Sequence, residues 1–345
     1  MTKLYLALED ALAIVRLQNN AWVANVHLVG KQMQCVALDP LRVGLIYCGT
    51  FDEGAWRSID DGRTWVSIGA DFMLPQVTSI AVSPLESSRG QSVVYAGTEP
   101  STLYRSEDCG VHWRELSQLR QLPSAPEWSF PPRPYTSHVR WITPDLTRAG
   151  RLFVAIEAGA LVRSFDGGET WEDRRSDGPF DTHTLAMHRL APDRLYSAAG
   201  DGFMRAGGGF IESKDGGDSW QRPDEGLEHK YLWSVAVDPA DPDMIVVSAA
   251  HSPDQAHNRQ HAASALYRRS HGGSWQRCQD GLPPEQGMLT SVLAAHDSEP
   301  GVFYAASNKG VFRSSDAGEH WEELAIHWPS SFTTSRAQAL VVSDN

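Results

Sequence analysis

Three carboxylic acids and three histidines are the side chains whose types and spacing suit chemistry. Glu157 and Asp201 fall in equivalent loops of neighbouring sequence repeats, with Asp181 between them. Two carboxyls about 5–10 Å apart, one held protonated and one ionised, are what acid–base cleavage of a glycosidic bond requires. These three are therefore the candidate catalytic groups. Each has a plainer reading too, because Gly200-Asp201-Gly202 and Glu157-Ala158-Gly159 have the composition of ordinary turns. His138, His183 and His229, with Asp181 or Glu157, form a nitrogen-and-oxygen set of the kind that holds a metal ion. Histidines that order a rim or bind a ligand are the competing expectation, and no metal or other cofactor is assigned. Arg140, Tyr231, Trp233 and His251 complete the expected ligand-binding residues. A further group, His251, His257, His261 and His271, matches no zinc spacing and reads as solvated loop histidines.

The elements that must position these groups belong to a repeat. Ser-x-Asp-x-Gly-x-x-Trp occurs intact at Ser58–Trp65, Ser106–Trp113, Ser164–Trp171, Ser213–Trp220 and Ser314–Trp321. A degenerate copy ends at Trp275, and Trp22 closes a remnant; these seven tryptophans are 43, 48, 58, 49, 55 and 46 residues apart. Around each motif lie short runs such as Ser79-Ile-Ala-Val, Val94-Tyr-Ala-Gly and Leu103-Tyr-Arg-Ser, rich in β-formers and bounded by Gly, Pro and Asp. Four strands per repeat of this length describe a β-propeller blade. Residues 4–8, 12–17 and 22–28 supply strands two to four of a blade whose first strand is Ala339–Ser343, so the ring closes by pairing the two ends. The expectation is an all-β, seven-bladed propeller in one domain, with blades at 337–345 plus 1–28, 33–70, 77–118, 138–174, 183–222, 231–277 and 289–325. Within the motif, Asp60, Asp108, Asp166, Asp215 and Asp316 are expected to accept backbone hydrogen bonds in their own turns, a structural role.

The motif resembles the Asp-box, or bacterial neuraminidase repeat, of sialidases, sortilin-type receptors, some xyloglucan-cleaving glycosidases and photosystem assembly factors. The resemblance covers nearly the whole chain and implies blades rather than one activity. It also implies that the Asp-boxes lie opposite the ligand face, which is built from the loops before strand one and between strands two and three. An ungapped alignment of the first strands puts Gln34, Thr78, His138, His183, Trp233, Thr290 and Gln338 at the channel mouth, with Asp52, Glu99, Glu157, Asp201, His251 and Lys309 on the second set of loops. Sialidases of this type have six blades, an Arg-Ile-Pro motif and an arginine triad. Arg-Ile-Pro is absent here, and Arg140, Arg205 and Arg336 reach the ligand face without forming an assignable triad. A true sialidase is thus disfavoured. The resemblance implies a glycosyl-hydrolase-like propeller binding a small molecule, glycan or protein partner at the channel mouth. An active glycoside hydrolase or lyase and a non-catalytic assembly scaffold are the alternatives.

Composition narrows the partners. Thirty Lys+Arg against 43 Asp+Glu give a net charge of −13, without the basic stripe that nucleic acids require. No apolar run approaches the ~20 residues of a spanning helix, and acidic residues interrupt the apolar N-terminus, so neither membrane nor secretory leader is expected and the location reads as cytoplasmic. Cys35, Cys48, Cys109 and Cys278 have no paired spacing and read as free buried thiols. The Pro-rich loop 115–137, with Trp128, Phe130 and Tyr135, reads equally as a lid over the ligand face or a packed wrap. The glycine-rich segment Gly200–Gly209 opens no helix and is expected to serve flexibility.

Overall fold

The computed structural model describes residues 2–69, 74–133, 136–330 and 335–344; Met1, Ala70, Pro134, Tyr135 and Asn345, which enter the expectations above, lie outside them. Seven antiparallel sheets form a ring, a seven-bladed β-propeller. Each innermost strand packs on the innermost strand of the next blade, from Met33–Leu38 round to Ala337–Ser343 and back. Closure follows the expected route: Ala337–Ser343 pairs with Lys3–Leu8, Lys3 opposite Ser343, so N- and C-terminal segments share one blade. That blade gains an outer strand, Ile326–His327, running parallel to Trp22–Val23. In the blades of Val139–Pro144 and Thr182–His188 the fourth strand shrinks to single bridges, Arg163–Glu172 and Glu212–Gln221.

Size complementarity explains why consecutive sheets stack. On the second strands Tyr47, Tyr95, Tyr196 and Tyr304 stand opposite Ala37, Ala81, Ala186 and Ala294 of the first strands. These tyrosines are fully buried. A large ring over a small neighbour lets facing sheets interdigitate without voids.

The repeated turn is a local hydrogen-bond unit. In the first copy Ser58 Oγ donates to Asp60 Oδ1 (2.8 Å) and accepts from Gly62 N (2.9 Å), while Thr64 N donates to Asp60 Oδ1 (2.8 Å). Trp65 Nε1 then donates to Gly62 O at 3.1 Å. The residue after the Asp and the following Gly are both left-handed, at φ 62° and 83° in the first copy, which is why glycine occupies the second position. An arginine of the third strand reaches the turn of the next blade. Arg16, Arg57, Arg105 and Arg163 donate to the carbonyls of Asp61, Cys109, Gly167 and Gly216 at 2.6–3.0 Å. The turns thus serve both their own blade and its neighbour.

These turns make the fold acid-sensitive. Hydrogen bonds to Thr64 hold Asp60 at about 2, and similar bonds outweigh partial burial to bring Asp215 and Asp316 to about 2. A carboxyl depressed on folding contributes stability above its unfolded value near 4 and loses it as pH falls through the folded value. Tm is therefore expected to hold above about pH 5 and to fall between about pH 4 and 2. A triple Asn variant at Asp60, Asp215 and Asp316 should start lower and show a shallower acid limb; an unchanged limb in a melting series would refute the assignment.

Candidate functional site

A ring of β-bulges builds the head of the channel. In six blades the innermost strand carries one unpaired extra residue at the same level: Gln34, Thr78, Arg140, His183, Trp233 and Gln338. A bulge bends its strand and re-aims a side chain. The remaining blade pairs regularly from Val292. This corrects the ungapped alignment: Arg140, not His138, joins the ring, and Thr290 does not. The reason is pairing register: the bulge follows Val139 as it follows Val77, so Arg140, two residues after His138, is the counterpart of Thr78. Gln34, Thr78, Arg140 and Gln338 bound the upper end of an axial cavity of about 330 Å³, whose walls below are apolar, including Ile80, Ile142, Leu185, Val235, Leu293 and Leu340.

Above this cavity sits a buried polar cluster. His138 Nε2 lies 2.8 Å from Glu157 Oε2, and Arg140 Nε is 3.5 Å from the same oxygen. Asp181 Oδ1 accepts from Ala158 N at 2.8 Å. His183, wholly buried, places Nε2 3.6 Å from Asp181 Oδ2 and 3.9 Å from Glu157 Oε1. Trp233 is the shared platform: His183 packs at 4.7 Å, the Arg140 guanidinium at 4.3 Å and that of Arg336 at 5.4 Å. Glu99, on an equivalent loop of the preceding blade, is gripped by Arg133 through two 2.6 Å bonds.

A directional hydrogen-bond chain crosses the cluster. Arg336 Nη2 lies 2.6 Å from His257 Nδ1, His257 Nε2 lies 2.9 Å from Tyr231 Oη, and Tyr231 Oη lies 3.3 Å from His183 Nε2. His183 Nδ1 is 2.6 Å from the Leu232 carbonyl. A guanidinium only donates and a carbonyl only accepts. Together they place a hydrogen on each ring: His257 carries its hydrogen on Nε2 and His183 carries one on Nδ1, and in the neutral His183 ring Nε2 is a lone pair that accepts from Tyr231.

Electrostatics separate the carboxyls. Burial alone would raise Glu157, but His138, with His183 and Arg140, outweighs it and holds this carboxyl well below its usual range. Burial, aided by the Glu157 charge, raises Asp181. Burial and then Arg336 push His257 far down, consistent with a neutral ring. Burial lowers Arg336 to about 10, opposed by the Glu9 charge and aided by Arg140. Glu99 is held by Arg133, Glu157 by His138 and Arg140, and Asp181 by Ala158 N. Arg336, only 8% exposed, has no carboxylate within 4 Å among the described residues. Glu9, whose backbone N–H donates to the Arg336 carbonyl, turns its carboxylate to Arg259 instead. Trp233 Nε1, Arg140 Nε and Arg336 Nε are buried N–H groups without a hydrogen-bond partner.

Of the residues expected from sequence, His138, Arg140, Glu157, Asp181, His183, Tyr231 and Trp233 converge here. His229 and His251 do not. They stack on one another at 3.9 Å in a separate place, with His229 hydrogen-bonded to Tyr267 and lowered to about 4 by burial and then by His251. His229 therefore leaves the possible metal set. Asp201 accepts from Phe180 N and Asp181 N, so it holds the loop that carries Asp181. Arg205 is exposed. His257 was missed. The Ser252-Pro253 start of its short helix Pro253–His257, with Ser252 capping Gln255 N, is a legible signal that this histidine is fixed in place.

The two loops divide as well. Trp128 packs into the core with Leu116, Leu119 and Leu122, so the first half of 115–137 is a wrap. The second half reaches the site: Phe130 sets its edge on His138 at 4.8 Å and Arg133 grips Glu99. Flexibility is not what the glycines of Gly200–Gly209 provide. A Cβ on Gly202 or Gly209 would stand 1.9 or 2.5 Å from the Lys230 carbonyl, so close approach requires them.

No protein-family model matches the chain, and no curated protein matches it. Solved structures do. The Niastella koreensis GH74 enzyme superposes with TM-score 0.68 at 16% identity, over 93% of this chain and 52% of that one. The Xanthomonas campestris GH74 xyloglucanase gives 0.67 at 17%, over 93% and 52%. YCF48 bound to D1 peptide gives 0.58 at 15%, over 86% and 81%. This chain spans about half the length of the GH74 proteins. At such identities the likeness is one of fold: the chain shares the propeller architecture of these proteins.

Proposed function

We propose that this propeller binds a small polar ligand carrying one negative charge at the head of its channel. What supports the reading is Arg336, a buried guanidinium with no carboxylate within 4 Å among the described residues, beside the Trp233 Nε1 and Arg336 Nε groups that lack a hydrogen-bond partner. Buried charges are normally paired, and an orphaned donor costs the full loss of its hydration. A buried guanidinium that touches no carboxylate can take an anionic group of a ligand. The apolar cavity below Arg140 has room for the rest of a small organic acid or sugar acid.

A thermal-shift screen tests this with small carboxylates, sugar acids and phosphate esters, each beside its neutral analogue. An acid is expected to raise Tm by several degrees at about 100-fold excess over Kd, and its neutral analogue is not. Arg336→Gln should abolish that rise in a protein that still melts cooperatively. Equal shifts from neutral analogues, or a rise that survives Arg336→Gln, would sink the proposal.

Glycoside hydrolysis is the second reading. It is favoured by carboxylate oxygens of Glu157 and Asp181 that lie within 4.8 Å of each other, near the close spacing of retaining enzymes. Turnover on a panel of chromogenic glycosides, lost in folded Glu157→Gln and Asp181→Asn, would establish it. Turnover that survives both would move the chemistry elsewhere.

A further inference from the structure

We infer that Glu157, Asp181 and His183 form a binding site for one first-row divalent metal ion of the zinc, cobalt or manganese type. The inference rests on the reading of the channel head as a ligand site and gives that site a Lewis acid. One ligand atom of each residue lies within 4.8 Å of the other two. The arrangement around them is what distinguishes this group from a chance cluster. In each residue one polar atom is anchored outward and the other is left facing the common centre. Glu157 Oε2 is taken by His138, leaving Oε1. Asp181 Oδ1 is taken by Ala158 N, leaving Oδ2. His183 Nδ1 donates to the Leu232 carbonyl, leaving the Nε2 lone pair. Metal-binding histidines and carboxylates are held by outer contacts of this kind, which fix tautomer and orientation before the ion arrives.

With His183 neutral, the arrangement is unfavourable without a cation at the centre. The Nε2 lone pair faces two carboxylate oxygens at 3.6 and 3.9 Å, and its one hydrogen bond, from Tyr231, is long at 3.3 Å. An ion between the three would draw them to ordinary ligand distances and relieve this opposition. One imidazole with two carboxylates suits zinc, cobalt or manganese better than calcium or magnesium, which prefer oxygen alone. Three protein ligands leave a coordination position open, as in catalytic rather than structural sites. The competing occupant is a proton on His183, which would pair the ring with both carboxylates. A bound ion takes Glu157 and Asp181 out of acid–base service, so it and the glycosidase reading exclude one another.

The test titrates chelator-treated, full-length protein with Co²⁺, followed by visible absorption, and with Zn²⁺ by calorimetry. The background carries His320→Gln and Glu299→Gln, which break the other two three-residue groups of this type among the described residues. One equivalent is expected to bind with the absorption of a four- or five-coordinate ion. Asp181→Asn and Glu157→Gln, checked for fold by their melting curves, should each weaken binding more than the roughly 10–100-fold typical of an outer-contact loss. Failure of both ions to bind, or binding that survives both variants, overturns the inference. The ligand screen is run on metal-free protein. Anion binding without metal uptake therefore defeats only this inference, and metal uptake without anion binding defeats only the proposed ligand.

Discussion

Glu212→Gln is expected to destabilise the fold by about 3–5 kcal/mol, the cost of stranding a buried partner charge. Glu212 occupies the third-strand position that is arginine in five other blades: it stands opposite Tyr196 as Arg57 stands opposite Tyr47. The inter-blade contact is inverted here. Glu212 Oε2 accepts from Arg269 at 2.8 Å and from Arg194 at 3.1 Å, and the Glu212 and Arg269 side chains are only 5% and 2% exposed. Arg269 is further enclosed by Phe210 and Trp275, at 4.9 and 5.1 Å from its guanidinium. Neutralising the carboxylate leaves that guanidinium buried without a counter-charge, whereas Arg194 keeps Asp243 at 2.6 Å. Urea unfolding should show the loss, and adding Arg269→Met should recover part of it, because an apolar replacement removes the stranded charge. A cost below about 1 kcal/mol, typical of an exposed pair, would contradict the burial argument.

The second large effect falls on the site. Gly200→Ala should weaken Co²⁺ binding at least about tenfold while the propeller still folds. A Cβ at Gly200 would stand 2.1 Å from Asp181 Oδ2, 2.9 Å from His183 Cε1 and 3.0 Å from the Tyr231 ring. Asp181 cannot swing aside freely, because Oδ1 is anchored to Ala158 N and its own N–H is held by Asp201. The methyl group therefore displaces the carboxylate oxygen that faces the centre. Overpacking of this kind costs about 1–3 kcal/mol, so a lowered but cooperative melt should accompany the loss. Unimpaired binding in a folded Gly200→Ala variant would place the ion away from Asp181.

What the sequence determined by itself is everything that depends on local spacing. The Ser-x-Asp-x-Gly-x-x-Trp turn closes through hydrogen bonds within eight residues, so it announces itself wherever it occurs. Strand runs between successive turns then count the blades, and the orphan strand at 339–343 predicts the closure seen at Lys3–Ser343. Repeat equivalence places Glu157, Asp181 and His183 at one end of the ring from the sequence alone. Tertiary structure alone decided the rest. Pairing register leaves no compositional mark, yet it puts Arg140 and not His138 at the channel mouth. His257 and Arg336 lie 79 residues apart in sequence and meet only because blade six and the closing strand both border Trp233. His229 and His251 share the face of the site but pack as a separate pair, since their direction follows Tyr267 and not sequence position. Periodicity specifies which elements exist; where a side chain points depends on single-residue register and on contacts between distant segments, which no local pattern records.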